Sequence, residues 1–185
     1  MVAHASLPNA DLHECKGAST AAAGKTIIAG GAGTATFKYA NPHGSIYFEN
    51  IATPNVLTFP AVATKANPTT VASGTALEFT EGTNARLTYT GADTMDMRVI
   101  FNVSLDQAAG ANRDIVLYIY KNGSVITGSS VINTTSSAVK VLTTSIFDVA
   151  NVATGDYFEA YIKNNGASGD VNIYTFVLTM FGMRG

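Results

Sequence analysis

Between residues 95 and 106 the sequence alternates between apolar and polar side chains, and this pattern constrains the fold more than any other feature. All the odd positions are apolar, and Ile100 is the one even position that is also apolar. Successive side chains of a strand point to opposite faces, so a repeat of two residues predicts a strand with one buried face. We therefore expect a core built from sheets.

Other strand-like segments follow at intervals of roughly ten residues, separated by turn-forming residues. They are Ser45 to Asn50, Asp114 to Tyr120, Val125 to Asn133, Ala138 to Phe147, Asp156 to Asn164 and Asp170 to Phe181. The pair Asn122-Gly123 predicts a tight hairpin, and residues 165–169 predict the last turn. No segment predicts a helix. The predicted fold class is all-β, an antiparallel β-sandwich of the jelly-roll kind.

The last of these segments is apolar on both faces. In strict alternation, one face carries Val171, Ile173, Val177 and Phe181, and the other carries Tyr174, Phe176, Leu178 and Met180. A strand of this kind needs a packing partner on each of its two faces. Either it lies at the centre of its own domain, or a neighbouring subunit covers the side that does not face the core.

The first 45 residues differ in composition from the rest. Residues 17–36 are mostly Gly, Ala, Ser and Thr, with few side chains large enough to anchor a core. We therefore predict an extended attachment arm over residues 1–45 and a sandwich domain over residues 46–185.

Charge and cysteine content exclude several classes of partner. The chain has 11 Lys and Arg against 13 Asp and Glu, so it lacks the basic excess that binding to nucleic-acid phosphates requires. Only 13% of the residues are charged, which hints at extensive subunit contact. Cys15 is the single cysteine, which excludes an internal disulfide framework. Neither a signal peptide nor a membrane-spanning run is visible. The expectation is synthesis in a cytoplasm, without membrane or nucleic-acid partners.

Candidate chemical motifs are weak. His13-Glu14-Cys15 cannot easily close one metal shell, because neighbouring side chains on an extended segment point in opposite directions. Gly24-Lys25-Thr26 lacks the earlier glycine and the helix of a phosphate-binding loop. All three histidines precede the sandwich, and no spacing selects a carboxylate pair for glycoside hydrolysis. We predict no catalytic residue, no metal and no cofactor. Tyr157, Tyr161 and Tyr174 fit either a subunit interface or a sugar-stacking platform, and the interface is favoured.

Two segments resemble known families. Residues 154–162, from Thr-Gly-Asp-Tyr-Phe through Ile162, and the closing strand 178–184 resemble trimeric jelly rolls related to complement globular heads and tumour necrosis factor. Residues 7–17, Leu-Pro-Asn-Ala-Asp-Leu-His-Glu-Cys-Lys-Gly, are similar to the leading segments of tailed-bacteriophage head decoration and fibre proteins.

Together the resemblances imply a virion structural protein on the capsid surface, a homotrimeric decoration or cement protein that cross-links capsomers. Its expected partners are the major capsid protein and neighbouring decoration trimers. The implied capsid-binding arm residues are Leu12, His13, Lys16, Ile27, Ile28, Phe37 and Tyr39. The implied trimer-interface residues are Tyr157, Tyr161, Tyr174, Phe176, Leu178 and Met180. The alternative is a tail-fibre or receptor-binding tip that holds a host surface glycan in loops 122–124 and 164–169. A polysaccharide-degrading enzyme ranks below both.

Overall fold

A computed structural model describes residues 25–29, 35–39, 41–58, 60–68, 72–74, 76–82, 84–166 and 169–183. These residues contain fifteen strands and no helix. The strands are β1 (Lys25–Ala29), β2 (Ala35–Tyr39), β3 (His43–Glu49), β4 (Asn55–Leu57), β5 (Thr64–Lys65), β6 (Ala72–Ser73), β7 (Phe79–Gly82), β8 (Arg86–Tyr89), β9 (Met95–Gln107), β10 (Arg113–Lys121), β11 (Ser124–Val125), β12 (Val131–Thr135), β13 (Val141–Val152), β14 (Tyr157–Asn164) and β15 (Val171–Met183).

The chain divides into two units, Met1–Ala40 and Asn41–Gly185. In the first unit, β1 and β2 pair antiparallel with Ile27 opposite Phe37. The described part of the predicted arm has extended backbone, but it is folded back on itself as a hairpin. Strand β3 begins at His43, inside the segment 1–45 that the sequence analysis allotted to the arm, and pairs with β15 in the second unit.

The second unit consists of two antiparallel sheets packed as a sandwich. The first sheet has the order β11-β10-β14-β8-β7, with β12 also paired to β10 and β5 to β14. The second has the order β13-β9-β15-β3-β6, with β4 also paired to β15. The predicted antiparallel jelly-roll sandwich is confirmed.

The inner faces of the two sheets form one apolar core. Met97, Val99 and Phe101 of β9 have no exposed surface, and neither does Ile162 of the opposite sheet. The rings of Phe101 and Phe176 lie 5.3 Å apart in a tilted arrangement, which is favourable for aromatic pairs. Every residue of this core lies between positions 46 and 180, so the second unit has a core of its own.

The predicted hairpin after β10 is confirmed, although its second strand is interrupted. Asn122 and Gly123 both have positive φ, 51° and 78°, as the two central residues of a type I′ turn require. Strand β11 then ends at Val125, and β12 resumes pairing with β10 only at Val131. The Ser129 hydroxyl oxygen fills part of this gap by accepting a hydrogen bond from the Ile119 amide at 3.1 Å.

Strand β15 contains a bulge that the sequence analysis missed. Its register against β9 shifts between Ile173 and Thr175. Because one extra residue reverses the alternation, Val171 and Ile173 face the core together with Phe176 and the even positions beyond it. The predicted division of this strand into two apolar faces is therefore wrong, and most of its large side chains lie on one face.

Candidate functional site

The described residues offer little for catalysis or metal binding. Among them, no group of three or more His, Cys, Asp or Glu side chains is arranged to hold a metal ion. No helix long and apolar enough to cross a membrane occurs in the same part of the chain. Two of the carboxylates considered for hydrolysis are engaged in ion pairs, Asp148 with Arg98 and Asp156 with Lys121, each at 2.7 Å. The remaining candidates for a functional surface are the outer faces of the two sheets.

Most outward side chains in the middle of the second sheet are uncharged, and we call this group the neutral face. It consists of the outward side chains of β13, β9, β15 and β3. They are Leu142, Thr144, Ile146, Ile100, Asn102, Ser104, Thr175, Val177, Thr179, Phe181, Ser45 and Tyr47. Charged side chains point outward at the two ends of this group. Asp96, Arg98 and Asp148 lie at one end, and Glu49 and Asp106 lie at the other.

Several large apolar side chains of the neutral face are open to solvent. Leu142 is 71% exposed, Ile146 is 59% exposed, and Tyr47 and Phe181 are each 42% exposed. Strand pairing makes them part of one surface, since Ile146 lies opposite Ile100, and Val177 lies opposite Tyr47. A surface that exposes several large apolar side chains is typical of an interaction site.

Sequence reasoning missed this face, although one signal was visible. Ile100 is the single residue that breaks the alternation of β9, and it does so because it points outward. An apolar residue at a position where the strand pattern expects a polar one indicates a second covered surface. The same test applied to β13 finds Leu142 and Ile146.

The outer face of the first sheet has a different character, and we call it the tyrosine face. It consists of outward side chains of β10, β14, β8 and β5, namely Asp114, Val116, Tyr118, Tyr120, Tyr157, Glu159, Tyr161, Lys163, Arg86 and Lys65. The rings of Tyr120 and Tyr161 stack with centroids 3.7 Å apart. The Arg86 guanidinium lies 3.8 Å from the centroid of the Tyr157 ring.

A buried carboxylate lies at the centre of the tyrosine face. The Glu159 side chain is 3% exposed, and its Oε1 accepts hydrogen bonds from Lys65 Nζ at 2.6 Å and Arg86 Nε at 2.9 Å. Burial alone raises the pKa of Glu159, but the hydrogen bonds and charges of Lys65 and Arg86 outweigh it, so the pKa lies below its ordinary value. Burial, followed by the charge of Glu159, raises the pKa of Tyr161.

The six residues predicted for a trimer interface do not share a surface. Phe176, Leu178 and Met180 have no exposed area and belong to the core of the chain itself, so their assignment to a subunit interface is corrected. The physical reason is the β15 bulge, which turns them inward. Tyr157 and Tyr161 lie on the tyrosine face of the other sheet.

Tyr174 is the residue at the bulge, and local contacts hold it in place. Its hydroxyl donates to the Asp106 carboxylate at 2.8 Å, and Lys140 Nζ lies 3.8 Å from the centroid of its ring. Asp106 is 4% exposed and also accepts a hydrogen bond from the Asn172 amide at 2.8 Å. These contacts give Tyr174 a structural role within the chain.

Four of the seven predicted arm residues lie in the described hairpin. Ile27 and Ile28 are in β1, Phe37 and Tyr39 are in β2, and the Ile27 side chain is 48% exposed. Leu12, His13 and Lys16 lie outside the described residues.

The loops considered for a glycan use their amide groups internally. The Asn122 amide donates to Asp156 at 2.7 Å, and its carbonyl oxygen accepts from the Tyr157 amide at 2.9 Å. Asn164 donates to the Gly169 carbonyl at 3.0 Å and accepts from the Gly166 amide at 2.8 Å. These side chains stabilise their turns.

No protein-family model and no curated protein sequence matches the chain. Among solved structures, it is similar to the PRD1 vertex protein P5, with a TM-score of 0.55 and 10% identity over 78% of this chain and 97% of that chain. It is also similar to the globular domain of zebrafish complement 1qA protein, with a TM-score of 0.50 and 11% identity over 78% of this chain and 98% of that one. At this level of identity the likeness concerns the fold, and it agrees with the jelly roll that the resemblances implied.

Proposed function

We propose that the protein is a homotrimeric virion structural protein that decorates the outer surface of a bacteriophage capsid and cross-links neighbouring capsomers, without a catalytic step. The neutral face is the observation that carries the proposal. It is an exposed, uncharged surface on a sandwich that already has its own core. Self-association would bury this surface against another subunit.

The composition of the neutral face favours contact between copies. Its members are apolar or uncharged polar residues, so two copies meet there without placing like charges together. The polar members already have partners in part, since the Thr144 hydroxyl donates to Asn102 at 2.6 Å. Burying the face therefore removes apolar area from water at a small cost in unpaired polar groups.

The virion role draws on three further observations. Residues 7–17 are similar to phage decoration and fibre proteins, the sandwich resembles the PRD1 vertex protein P5 in fold, and the hairpin belongs to a separate unit. In the proposal, Leu12, His13, Lys16, Ile27, Ile28, Phe37 and Tyr39 contact the major capsid protein or a neighbouring trimer. Three arms on one trimer bind multivalently, so modest contacts add up to slow dissociation.

Sedimentation velocity tests the subunit interface. We expect the full chain to sediment as a trimer and Ile146→Lys to sediment as a monomer at the same concentration, because the ammonium group cannot be buried unpaired. Val62→Lys is the matched control, since Val62 is 73% exposed and lies outside the neutral face. A monomeric wild-type protein, or a trimer that Ile146→Lys leaves intact, would contradict the proposal.

Virion composition and capsid binding test the decoration role. We expect a copy number of the same order as that of the major capsid protein, whereas a receptor-binding tip would be present in a few to tens of copies. Deleting residues 1–40 should leave a folded trimer, because the core lies in the second unit, and should abolish capsid binding. Unchanged occupancy of capsids by the truncated protein would refute the role given to the arm.

A further inference from the structure

Two side chains of the tyrosine face make no hydrogen bond, ion pair or ring contact with the described part of the chain. Tyr118 is half-buried, lies directly opposite Tyr161, and makes neither a hydrogen bond nor a ring contact with the described residues. Lys163, one pair further along the strands opposite Val116, has no ion-pair partner among them. Tyr118 and Lys163 are therefore diagonal neighbours on adjacent strands of the same face.

The surroundings of this pair are held rigidly. Tyr161 is stacked on Tyr120, Tyr157 is covered by Arg86, and Glu159 ties Arg86 to Lys65. Side chains fixed in this way lose little conformational entropy when a ligand binds. The tyrosine face is thus a preorganised aromatic surface. Folding does not require the ion cluster of Glu159, Lys65 and Arg86, because a buried ion cluster is no more stabilising than apolar packing.

Local charge restricts the class of ligand. The tyrosine face has three cations, Lys65, Arg86 and Lys163, against two carboxylates, Glu159 and Asp114, on a chain with a net charge of −2. Lys65 and Arg86 share Glu159, and Asp114 accepts a hydrogen bond from the Thr134 hydroxyl at 2.7 Å. The face therefore keeps one net positive charge. A second copy of the same face would bring like charges together. A long polyanion such as a nucleic acid needs more cations than this face offers, and the negative charge of the whole chain repels it.

We infer that the tyrosine face binds an acidic saccharide, a sugar ring that bears a carboxylate. The apolar face of the sugar ring stacks on Tyr118, and its carboxylate pairs with the ammonium group of Lys163. The tyrosine hydroxyls are available to the sugar hydroxyl groups. This site is independent of the proposed subunit interface, because it lies on the other sheet.

Calorimetric titration of the full chain with digalacturonate, a short oligogalacturonate, tests the inference, with a neutral dextran oligosaccharide and oligothymidylate as comparison probes. We expect saturable binding of the oligogalacturonate and binding of both comparison probes at least about tenfold weaker. Tyr118→Ala and Lys163→Gln should each weaken binding about tenfold or more, from loss of the stacking surface and of the ion pair respectively. Tyr118→Phe, which keeps the ring, should retain most of the affinity.

Lys140→Gln is the matched control, because Lys140 lies over Tyr174, away from the tyrosine face. The inference is wrong if no saturable binding occurs, if Lys140→Gln weakens binding as much as Lys163→Gln, or if oligothymidylate binds as tightly as the oligogalacturonate. Each variant is also sedimented, and an unchanged trimer separates a failure of this site from a failure of the proposed assembly.

Discussion

Removing the charge of Glu159 tests the electrostatic account of the tyrosine face most directly. Glu159→Gln keeps the size of the side chain but leaves Lys65 and Arg86 without their shared anion. The carboxylate is 3% exposed, whereas the Lys65 and Arg86 side chains are 20% and 41% exposed. The two cations can therefore turn partly to water, while the amide at position 159 stays buried.

The magnitude follows from the two charge-assisted hydrogen bonds. Each such bond contributes about 1.5–3 kcal/mol when buried, and partial exposure of both donors reduces the contribution. We therefore expect Glu159→Gln to lower the free energy of unfolding by about 2–3 kcal/mol. For a chain of this size that corresponds to a fall in Tm of about 5–10 °C.

Thermal and urea unfolding measure the effect, with Asp148→Asn as the matched control. Asp148 also pairs with an arginine through hydrogen bonds of 2.7 and 2.8 Å, but both side chains are about half exposed, at 49% and 51%. Exposed ion pairs contribute little to the free energy of unfolding, so the control should have the same Tm as the wild-type protein. Equal changes for the two variants would show that burial does not strengthen the Glu159 pairs and would refute the reasoning.

Three further outcomes are expected. The contribution of Glu159 to stability should be complete well above 4.5, the ordinary pKa of a glutamate, and should be lost as acid protonates this carboxylate through its lowered folded-state pKa. A pH series of urea midpoints checks this, and a Glu159→Gln protein should lose less stability over the same range. Phe176→Ala should cost about 3–5 kcal/mol, measured by urea unfolding, because Phe176 is fully buried against Phe101. Gly123→Ala should cost about 1 kcal/mol in the same assay, because Gly123 has a φ of 78° that an alanine adopts only with strain.

The sequence predicted those strands that have one solvent-exposed face and one buried face. The alternation over 95–106 matches β9, Met95–Gln107, almost residue for residue, because the polar positions face outward and the apolar ones, apart from Ile100, face the core. The Asn122-Gly123 turn was predictable for an equally local reason, since both residues tolerate positive φ.

The faces of β15 were not predictable in the same way. Between Val171 and Phe181 nearly every position is apolar or small, so an inserted residue leaves no mark on the pattern. The bulge at Tyr174 is set by tertiary contacts, the hydroxyl bond to Asp106 and the approach of Lys140. The ion pairs of Glu159 with Lys65 and Arg86 were not predictable from the sequence either, because these residues lie 94 and 73 positions away in the chain.

The difference between the two outer faces argues for a division of roles. Burying the tyrosine face against the same face of another copy would desolvate Lys163 and Arg86 and would bring the excess cations of the two copies together, which is unfavourable. Burying the neutral face between the charged groups at its two ends desolvates mainly hydroxyl and amide groups that can pair with one another. A trimer that uses the neutral face therefore leaves the tyrosine face in water, where its free ring and ammonium group can bind a ligand. A variant that dissociates the trimer should then leave saccharide binding per chain unchanged, and this separation of the two measurements is the consequence of placing them on opposite sheets.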